Sequence, residues 1–586
     1  MKAEPILETR AIRRDWLLAV LLAAILSLCW AVNDWPQVGR LNLPDSDDMM
    51  RLAQVRDWIA GQGFNDWTQY RVGPPGGSPM HWSRINDLGP AGLIVALTPL
   101  LGRHGAEVAA VLGYPATLFA VYLFLSARIA RRIGASGSAM VAIVLAALAY
   151  PANALFLPGR IDHHGLQIVL ILATVLALSR RPSLASGVSA GACVAASLGI
   201  GLETAPQLAA VMAALFGRWV WRGEREGPCV AGFGVALGGV TLLLLAFARP
   251  TFWPAQWCDT FTPASTTATL VAAVLFAALG AAGERIVDWR WRLVIGGIGG
   301  AVSLGNTLAA YPVCLAGPYG PMDAFVRHAL IDHIIEAQGL FAAGYAMGVP
   351  SAGVMLVASV AAVGLWRARR LRRDHALAQL AVLATSGAVL LCQLRGAYIG
   401  SALAAPILAQ LVLAAREVPR WRAPAVGAAW LASAGMVWLA VPQRIAAARA
   451  EPGTAAFAVR HACKSGDVWQ QLDRLPAGTV MAPVDLAAYI VGGTRHRVVG
   501  AGYHRNLSGN RALYAFFLSQ PARARAIGAA WRTDYVALCP GDFSEIDAAH
   551  RYRGSLAAAL LDGQPPAWLA PIPLRDAGLQ LYRVVP

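Results

Sequence analysis

Thirteen runs of apolar residues follow one another along the first three quarters of the chain. A membrane-spanning helix needs about 20 mostly apolar residues. The pattern therefore predicts a polytopic α-helical membrane protein with about 13 transmembrane helices. The runs lie near residues 16–33, 89–102 with 106–127 (a short helix and a span, or one broken span), 136–152, 165–179, 184–201, 205–219, 229–248, 268–283, 292–311, 342–365, 376–394, 397–415 and 424–441.

Arginine is concentrated in every second connection between these runs. Basic loops typically stay in the cytoplasm, so the N-terminus is predicted to be cytoplasmic in a bacterial inner membrane. The larger loops 34–88, 249–267 and 312–341 are then external. Residues 1–441 form the predicted transmembrane domain. Residues 442–586 alternate strand-like and helical stretches, which predicts a soluble periplasmic α/β domain.

The composition of the 586 residues agrees with this class, since 57% are hydrophobic and 14% are charged. A soluble domain has about 25% charged residues, so a soluble enzyme is excluded. The net charge of +16 reflects arginine in the cytoplasmic loops, and no nucleic-acid partner is predicted. The eight cysteines form no CxxC pair. In a periplasmic domain Cys463 and Cys539 could form a disulfide, or both could be free thiols.

The first external loop carries the densest group of acidic residues. Asp45, Asp47 and Asp48 follow the first apolar run closely. Carboxylates at such spacing repel one another and need a cation, an arginine or water; the alternative is a solvated helix N-cap. His81 and Trp82 lie later in this loop, in an aromatic and Pro-Gly-rich stretch that is suited to contact a sugar or a lipid phosphate.

A second group lies between the third and fourth runs, in the sequence GRIDHHG. Ionisable residues at the edge of a membrane mark a site by default. Asp162 and His164 are two positions apart, so in an extended turn both can face one ion. This donor set suits Mn²⁺ or Zn²⁺, whereas carboxylates alone suit Mg²⁺. The alternative is a loop whose residues are merely hydrogen-bonded.

Two further features lie on the external side of the predicted topology. Asp332 and Glu336 are four residues apart, which predicts that they share one face of a helix; a solvated amphipathic helix is the alternative. Arg395 lies near the outer end of the eleventh run. Its forked donors match the oxygens of a lipid phosphate, or its side chain simply reaches the membrane interface.

Together these motifs resemble the catalytic subunit of oligosaccharyltransferases, the PglB and AglB group of GT-C glycosyltransferases. The stretch PDSDDMMRLAQVRDW is similar to the family's first acidic motif, with Asp48 or Asp47 as the catalytic carboxylate. GRIDHHG matches the family's Asp-x-Glu-Gly, with His164 in place of the glutamate. The resemblance implies that Asp48, Asp162, His164 and Glu336 hold a divalent metal, Mn²⁺ or Mg²⁺, and that Arg395 binds the donor phosphate.

The C-terminal part departs from that family. The family reads its acceptor sequon with a Trp-Trp-Asp-Tyr-Gly sequence, and here Pro483 and Val484 precede Asp485 instead. The resemblance therefore implies the donor chemistry without sequon recognition. The acceptor-side residues are predicted to be Asp485, Tyr503, His504, Arg505, His81 and Trp82.

The predicted function is a membrane glycosyltransferase that moves a sugar from a polyprenyl-phosphate-linked donor to an acceptor hydroxyl. The acceptor is a glycan, a lipid or a protein, and membrane lipids surround the enzyme. One alternative is an oligosaccharide ligase or oligosaccharyltransferase that uses a polyprenyl-pyrophosphate-linked glycan. Another is a lipid or glycan transporter, although transporters usually place charges near the bilayer midplane. The last is a non-catalytic scaffold.

Overall fold

The computed structural model describes residues 3–283, 285–317, 319–320, 322–419, 421–449, 463–575 and 578–586. Helices account for most of the first 449 residues. Their bounds are Ala3–Asn33, Trp35–Val38, Ser46–Ile59, Leu88–Ile133, Ala139–Ala147, His164–Leu178, Leu184–Ile200, Ala205–Arg222, Gly227–Phe247, Pro263–Ala281, Trp289–Ala310, Ala324–Leu330, Gly344–Arg367, Arg373–Cys392, Gly396–Ala415, Arg422–Ser433 and Gly435–Arg449.

Each of the thirteen predicted runs overlaps one of these helices or a bent pair, although the run 136–152 contains only the shorter helix Ala139–Ala147. Within the described residues, eight helices are long and apolar enough to span a membrane, or nine if the bent pair Arg422–Ser433 and Gly435–Ile445 is one span. His164–Leu178 and Leu184–Ile200 are apolar but shorter. The polytopic helical class is therefore confirmed, and the number thirteen stays a prediction.

The predicted break in the second run is present. The helix Leu88–Ile133 is interrupted at Gly102, whose φ is 67° and ψ 170°. An L-residue with a side chain rarely adopts this backbone conformation, whereas glycine does so without steric cost. The sequence pattern of a short helix followed by a span is thus explained by one glycine.

The helix Ser46–Ile59 joins the first external loop to the C-terminal part of the chain. The Asp45 side chain caps it by accepting from the backbone N–H of Asp47 at 3.2 Å, as favoured at N-caps. Near its other end, Arg56 donates to the carbonyl of Gly492 at 2.5 Å. This helix packs on the helix Val484–Gly493, so the acidic motif lies between the two parts of the protein.

The C-terminal segment contains a five-stranded mixed sheet. Its strands are β1 (Thr479–Met481), β2 (Arg497–Val498), β3 (Thr533–Leu538), β4 (Leu569–Pro571) and β5 (Gln580–Val584), in the order β2-β1-β3-β5-β4. Strand β1 pairs in parallel with β2 and β3, whereas β5 pairs antiparallel with β3 and β4. Its helices are Gly466–Asp473, Val484–Gly493, Leu507–Leu518, Pro521–Ala530, Ala548–Arg551 and Leu556–Leu561, and a short hairpin, Thr68–Gln69 with Ser78–Pro79, lies in the first external loop.

Two disulfides link connections that the sequence predicts to be external. Cys463 pairs with Cys539, one of the two alternatives that the sequence left open. Cys258 pairs with Cys314, a pairing that sequence reasoning missed, and it joins the loop before Pro263 to the loop after Ala310. Both bonds lie on the side of the predicted external loops, as expected for an oxidising compartment.

The prediction of one helix across Asp332 and Glu336 is wrong. The helix Ala324–Leu330 ends before Asp332, and two short 3₁₀ turns, Ile331–His333 and Ile335–Ala337, follow it. Asp332 instead accepts from the exposed His328 at 2.7 Å. The two carboxylates therefore do not share a helical face, and Glu336 has a different partner.

Candidate active site

A cavity of about 840 Å³ lies between the external loops and the C-terminal segment. Residues from at least six separate parts of the chain converge on its wall, and most of its charged members come from predicted external positions. The polar lining includes Asp45, Asp47, His81, Arg160, Asp162, His164, Glu203, Asp259, Tyr319, Glu336, Arg395, Tyr398, Asp485, Tyr503 and His504.

The three carboxylates of the first loop occupy different positions. Asp45 and Asp47 line the cavity, whereas Asp48 is fully buried beneath its wall. The cause is the phase of the helix Ser46–Ile59, which turns successive side chains by about 100°. Asp47 accepts a hydrogen bond from the Tyr503 hydroxyl at 3.2 Å. Burial and the nearby carboxylates of Asp45 and Asp162 raise the pKa of Asp47 well above its ordinary value.

Asp48 organises the neighbouring loop. Its Oδ1 accepts from the backbone N–H groups of Ile161 and Asp162, both at 2.9 Å. Its Oδ2 lies 3.1 Å from Arg160, which also contacts Asp45 at 2.7 Å. Burial raises the pKa of Asp48 to about 7, and Arg160 opposes this shift. Asp48 thus holds the backbone that presents Asp162.

Asp162, His163 and His164 form a cluster of the metal-ligand type, of which the sequence predicted Asp162 and His164 as ligands. One possible ligand atom of each lies within 4.8 Å of the others. His163 Nδ1 lies 2.6 Å from Asp162 Oδ1, and His163 Nε2 lies 3.4 Å from Glu203. Burial opposes protonation of His163, but Asp162 and Glu203 raise its pKa to about 10. The imidazole is therefore a cation held between two carboxylates.

His164 and the second oxygen of Asp162 face the cavity side of this cluster. His164 Nε2 lies 3.5 Å from Asp162 Oδ2, and that oxygen is buried without a hydrogen-bond partner among the described residues. A buried carboxylate oxygen normally has a partner. An orphaned oxygen next to a neutral imidazole nitrogen fits a divalent metal ion.

A layer of buried charges supports the cluster from below. Arg51 Nη1 donates to Asp87 at 3.0 Å and Arg51 Nη2 to Asp162 at 3.3 Å. Arg84 lies 3.8 Å from Asp87, and the ring of Trp82 stacks under Arg51 at 4.7 Å. Trp82 is buried in this layer and is not part of the cavity wall. Each charge here has an opposite partner, as buried ions require.

Glu336 and Arg395 form an ion pair on the opposite wall. Arg395 Nη2 donates to Glu336 Oε1 at 2.5 Å, and the Tyr398 hydroxyl donates to Oε2 at 3.3 Å. The ring of Tyr398 lies 5.8 Å from that of His164. Both predicted residues therefore line the same cavity as Asp162, with Glu336 bound to the arginine and not to the Asp162 cluster.

Some of the predicted acceptor-side residues line the cavity, and others lie behind its wall. Tyr503 and His504 line the cavity, while Arg505 lies just behind them and donates to Asp259 at 2.6 Å. His81 lines the cavity 3.9 Å from Glu203. Asp485 also lines it, but its side chain is largely exposed and lies 3.9 Å from Lys464.

Sequence reasoning missed several residues of this wall. Glu203 is an acid between two apolar runs, which by itself marks a site at a membrane edge. Asp259 lies beside Cys258, in a loop that the sequence identified only by its length. Arg160 precedes the Asp162 motif directly. Each carried a local signal, but its partner lies far away in the sequence.

Comparison with known proteins was made by sequence and by structure. No protein-family model and no curated sequence matches the chain. The structure is similar to the oligosaccharyltransferase AglB of Archaeoglobus fulgidus, solved with an inhibitory peptide and a dolichol-phosphate. The TM-score is 0.66 at 14% identity over 93% of this chain and 72% of that one.

A second structure of the A. fulgidus oligosaccharyltransferase is a complex with Zn and sulfate. Its TM-score is 0.60 at 14% identity, and the match covers 97% of this chain and 74% of that one. This chain has the GT-C fold. A lower score of 0.41 at 13% identity relates it to ArnT from Cupriavidus metallidurans over 96% and 97% of the two chains.

Proposed function

We propose that this protein is a GT-C glycosyltransferase that moves a sugar from a polyprenyl-phosphate-linked donor to an acceptor hydroxyl. The observation that carries the proposal is the composition of one cavity. Acidic residues, Asp162 and His164 of the metal-ligand cluster, and Arg395 line it together. Lipid-linked donors combine an apolar chain, an anionic phosphate and a sugar, and this arrangement offers a surface for each.

The donor phosphate would bind between Arg395 and the Asp162 cluster. Arg395 is suited to phosphate because a guanidinium presents paired donors to two oxygens. Its present partner Glu336 would be displaced or would turn toward the cluster when an anion binds. Asp162 and His164 would hold a divalent ion, Mn²⁺ or Mg²⁺. Such an ion neutralises charge that develops on a leaving phosphate.

We assign the direct substrate contact to Asp47 and a supporting role to Asp48. Asp47 faces the cavity, whereas both oxygens of Asp48 are directed to Arg160 and to the loop of Asp162. Asp47 would accept a hydrogen bond from a substrate hydroxyl and orient it. The sugar and the acceptor would occupy the remaining space between Tyr503, His81 and Glu203.

The compartment follows from the two disulfides and the basic loops. We infer a multi-pass protein of a bacterial inner membrane, with a cytoplasmic N-terminus and the cavity on the periplasmic side. Disulfides persist in an oxidising compartment, and both lie on the cavity side. The lipid-linked donor would enter from the outer leaflet.

The test is a glycan and lipid profile of cells that lack the protein, complemented with wild type, Asp47→Asn or Asp57→Asn. Asp57 lies on the same helix but does not line the cavity, which makes its variant a matched control. We expect one sugar modification to disappear and to return with wild type and Asp57→Asn alone. Restoration by Asp47→Asn would contradict the assignment, and an unchanged profile in the deletion strain would contradict the function.

A second measurement separates transfer from transport. Proteoliposomes with a labelled polyprenyl-phosphate-linked sugar would form a new glycosidic bond under this proposal. Movement of label across the bilayer without that bond would support the transporter alternative. Treatment with EDTA followed by Mn²⁺ or Mg²⁺ tests the metal, and full activity after EDTA would remove the ligand roles of Asp162 and His164.

A further inference from the structure

A second cluster on the cavity wall is built around Asp259. Two consecutive residues of the C-terminal segment bind the two oxygens of this carboxylate. His504 Nε2 lies 2.7 Å from Oδ2, and Arg505 Nη2 donates to Oδ1 at 2.6 Å. Asp259 and His504 line the large cavity, and Arg505 closes the cluster from behind.

The orientation of His504 leaves one ring nitrogen available. Burial opposes ionisation of Asp259, but the hydrogen bond from His504 and the charge of Arg505 hold its pKa well below the ordinary range. An ionised Asp259 accepts hydrogen bonds, so Nε2 of His504 carries the proton. Nδ1 makes no hydrogen bond to any described residue. A neutral imidazole whose one nitrogen donates to a carboxylate presents the other as a proton acceptor.

The rest of the cluster is rigidly held by separate parts of the chain. Arg505 also donates to the carbonyl of Met80 at 2.9 Å and stacks on Trp257 at 4.1 Å. The neighbouring Cys258 is tied to Cys314. Since Arg505 already balances the charge of Asp259, attachment of the loop does not require an imidazole. His504 therefore adds chemistry that a simple link between the loop and the C-terminal segment would not need.

The cluster around Asp259 is adjacent to Asp47 through the backbone. Tyr503 donates to Asp47, and the next residue, His504, donates to Asp259. Consecutive Cα atoms are about 3.8 Å apart. A substrate that lies across Tyr503 and His504 would consequently be within reach of both Asp47 and Asp259.

We propose that His504, oriented by Asp259, accepts the proton of the acceptor hydroxyl during transfer. This rests on the proposed function, in which the acceptor attacks a lipid-linked sugar. The acceptor O–H bond breaks and its proton moves to Nδ1 of His504. The oxygen forms a bond to the anomeric carbon, while the bond between that carbon and the phosphate oxygen breaks and its electron pair leaves with the lipid phosphate. The proton then passes to water.

The charged and titratable groups around His504 come from five segments of the chain. They are Asp259, Arg505, His81, Tyr319 and Glu203. Asp259 accepts the hydrogen bond from Nε2 of His504, and Arg505 pairs with the same carboxylate. The proposal predicts that transfer rises with pH on the acidic side, because a general base must be unprotonated to accept the proton of the acceptor.

The test uses His504→Gln, because a glutamine amide can still donate to Asp259 but cannot accept a proton. Membranes from a deletion strain grown on radiolabelled glucose supply labelled lipid-linked sugars and acceptor, and purified protein is added. We expect transfer to fall about 100-fold, within the range of general base catalysis, with the acidic limb of the pH profile lost. Binding of undecaprenyl phosphate and the melting temperature should not change.

The matched control is His550→Gln. His550 makes the same kind of contact to Asp547, at 2.7 Å, but it is exposed and far outside the cavity lining. It should keep the full rate and the full pH profile. Asp259→Asn is a second variant, and it should lower the rate less than His504→Gln while shifting the acidic limb.

Three results would overturn the inference. One is a normal rate with His504→Gln; another is a lost rate whose pH profile keeps its acidic limb. The third is a loss of melting temperature with His504→Gln, which would assign the residue a structural role. Failure of the proposed function is distinguishable, because then wild type transfers no label, or Asp47→Asn and Asp162→Asn transfer as much as wild type.

Discussion

The cavity wall and the layer of buried charges beneath it both consist of acidic and basic residues, but these residues are paired differently in the two regions. In the layer, Arg51 and Arg84 are fully buried and both lie beside the opposite charge of the buried Asp87. In the wall, Asp45, Asp47 and Asp162 lie close enough to raise the pKa of Asp47. Buried ions are tolerated when they are paired, whereas crowded carboxylates need a cation, an arginine or water beside them. The comparison separates residues that stabilise the fold from residues that, under the proposed function, contact a substrate or a metal ion.

Asp162 belongs to both regions, so its replacement should have the largest effect. Asp162→Asn removes the charge that faces Arg51 and His163 and also the orphaned oxygen. We expect transfer to fall by at least about 1,000-fold, because metal ligation and the support of His163 fail together. Titration of Mn²⁺ by calorimetry should show the loss of the site. Unchanged Mn²⁺ binding would contradict the metal assignment.

Asp47→Asn tests the wall alone. It removes a cavity-facing charge whose neighbours are mostly carboxylates, so stability should not decrease. Transfer should fall about 100-fold, within the range of one catalytic contact. Initial rates and a thermal melt measured on the same preparation check both parts. Asp57→Asn is the control, and a melting temperature that falls with the rate would indicate a structural role for Asp47.

Asp87→Asn tests the layer alone. It leaves Arg51 and Arg84 without their shared counter-charge, so we expect a loss of about 3 kcal/mol of stability, as when a buried pair loses one member. Chemical denaturation in detergent measures this loss. The folded fraction of the variant should bind undecaprenyl phosphate with unchanged affinity. A variant that keeps its stability but loses undecaprenyl phosphate binding would mean that the layer contacts the donor.

The smallest expected effect is on the pH dependence of the melting temperature, and it involves His163. Its pKa is raised from 6.5 to about 10 in the folded protein, so its stabilising contribution is fully present below the unfolded value. This contribution is lost as the pH rises toward 10. In EDTA, the melting temperature of wild type should therefore decline between about pH 6.5 and 10. His163→Gln should decline less, and parallel curves would contradict the cationic imidazole.

The sequence predicted the helical class and the Asp162 motif because both depend on neighbours in the chain. Apolar runs need no tertiary information, and Asp162 and His164 are only two residues apart. The different burial of Asp47 and Asp48 was not predictable, since it depends on which face of the helix meets residues 160–162. The pairing of Glu336 with Arg395 joins residues 59 positions apart.

The cluster around Asp259 could not be predicted from the sequence for the same reason. Asp259 lay in a loop without any recognisable motif, and His504 was one polar residue among four. Their contact depends on how the C-terminal segment packs over the loops. Periodicity and spacing describe single elements, so a site assembled from six parts of the chain is seen only in the folded protein.

The helix Ser46–Ile59 and the segment 502–506 meet on the wall of one cavity, where Tyr503 donates to Asp47, although they lie far apart in the sequence. Under the proposed function, substitutions in residues 502–506 would change which acceptor is used while Arg395 and Asp162 keep their contacts to the donor phosphate. Likewise, the donor contacts would change while the acceptor contacts are preserved. A glycosyltransferase divided in this way would acquire new products in small evolutionary steps, each leaving the other set of contacts unaltered.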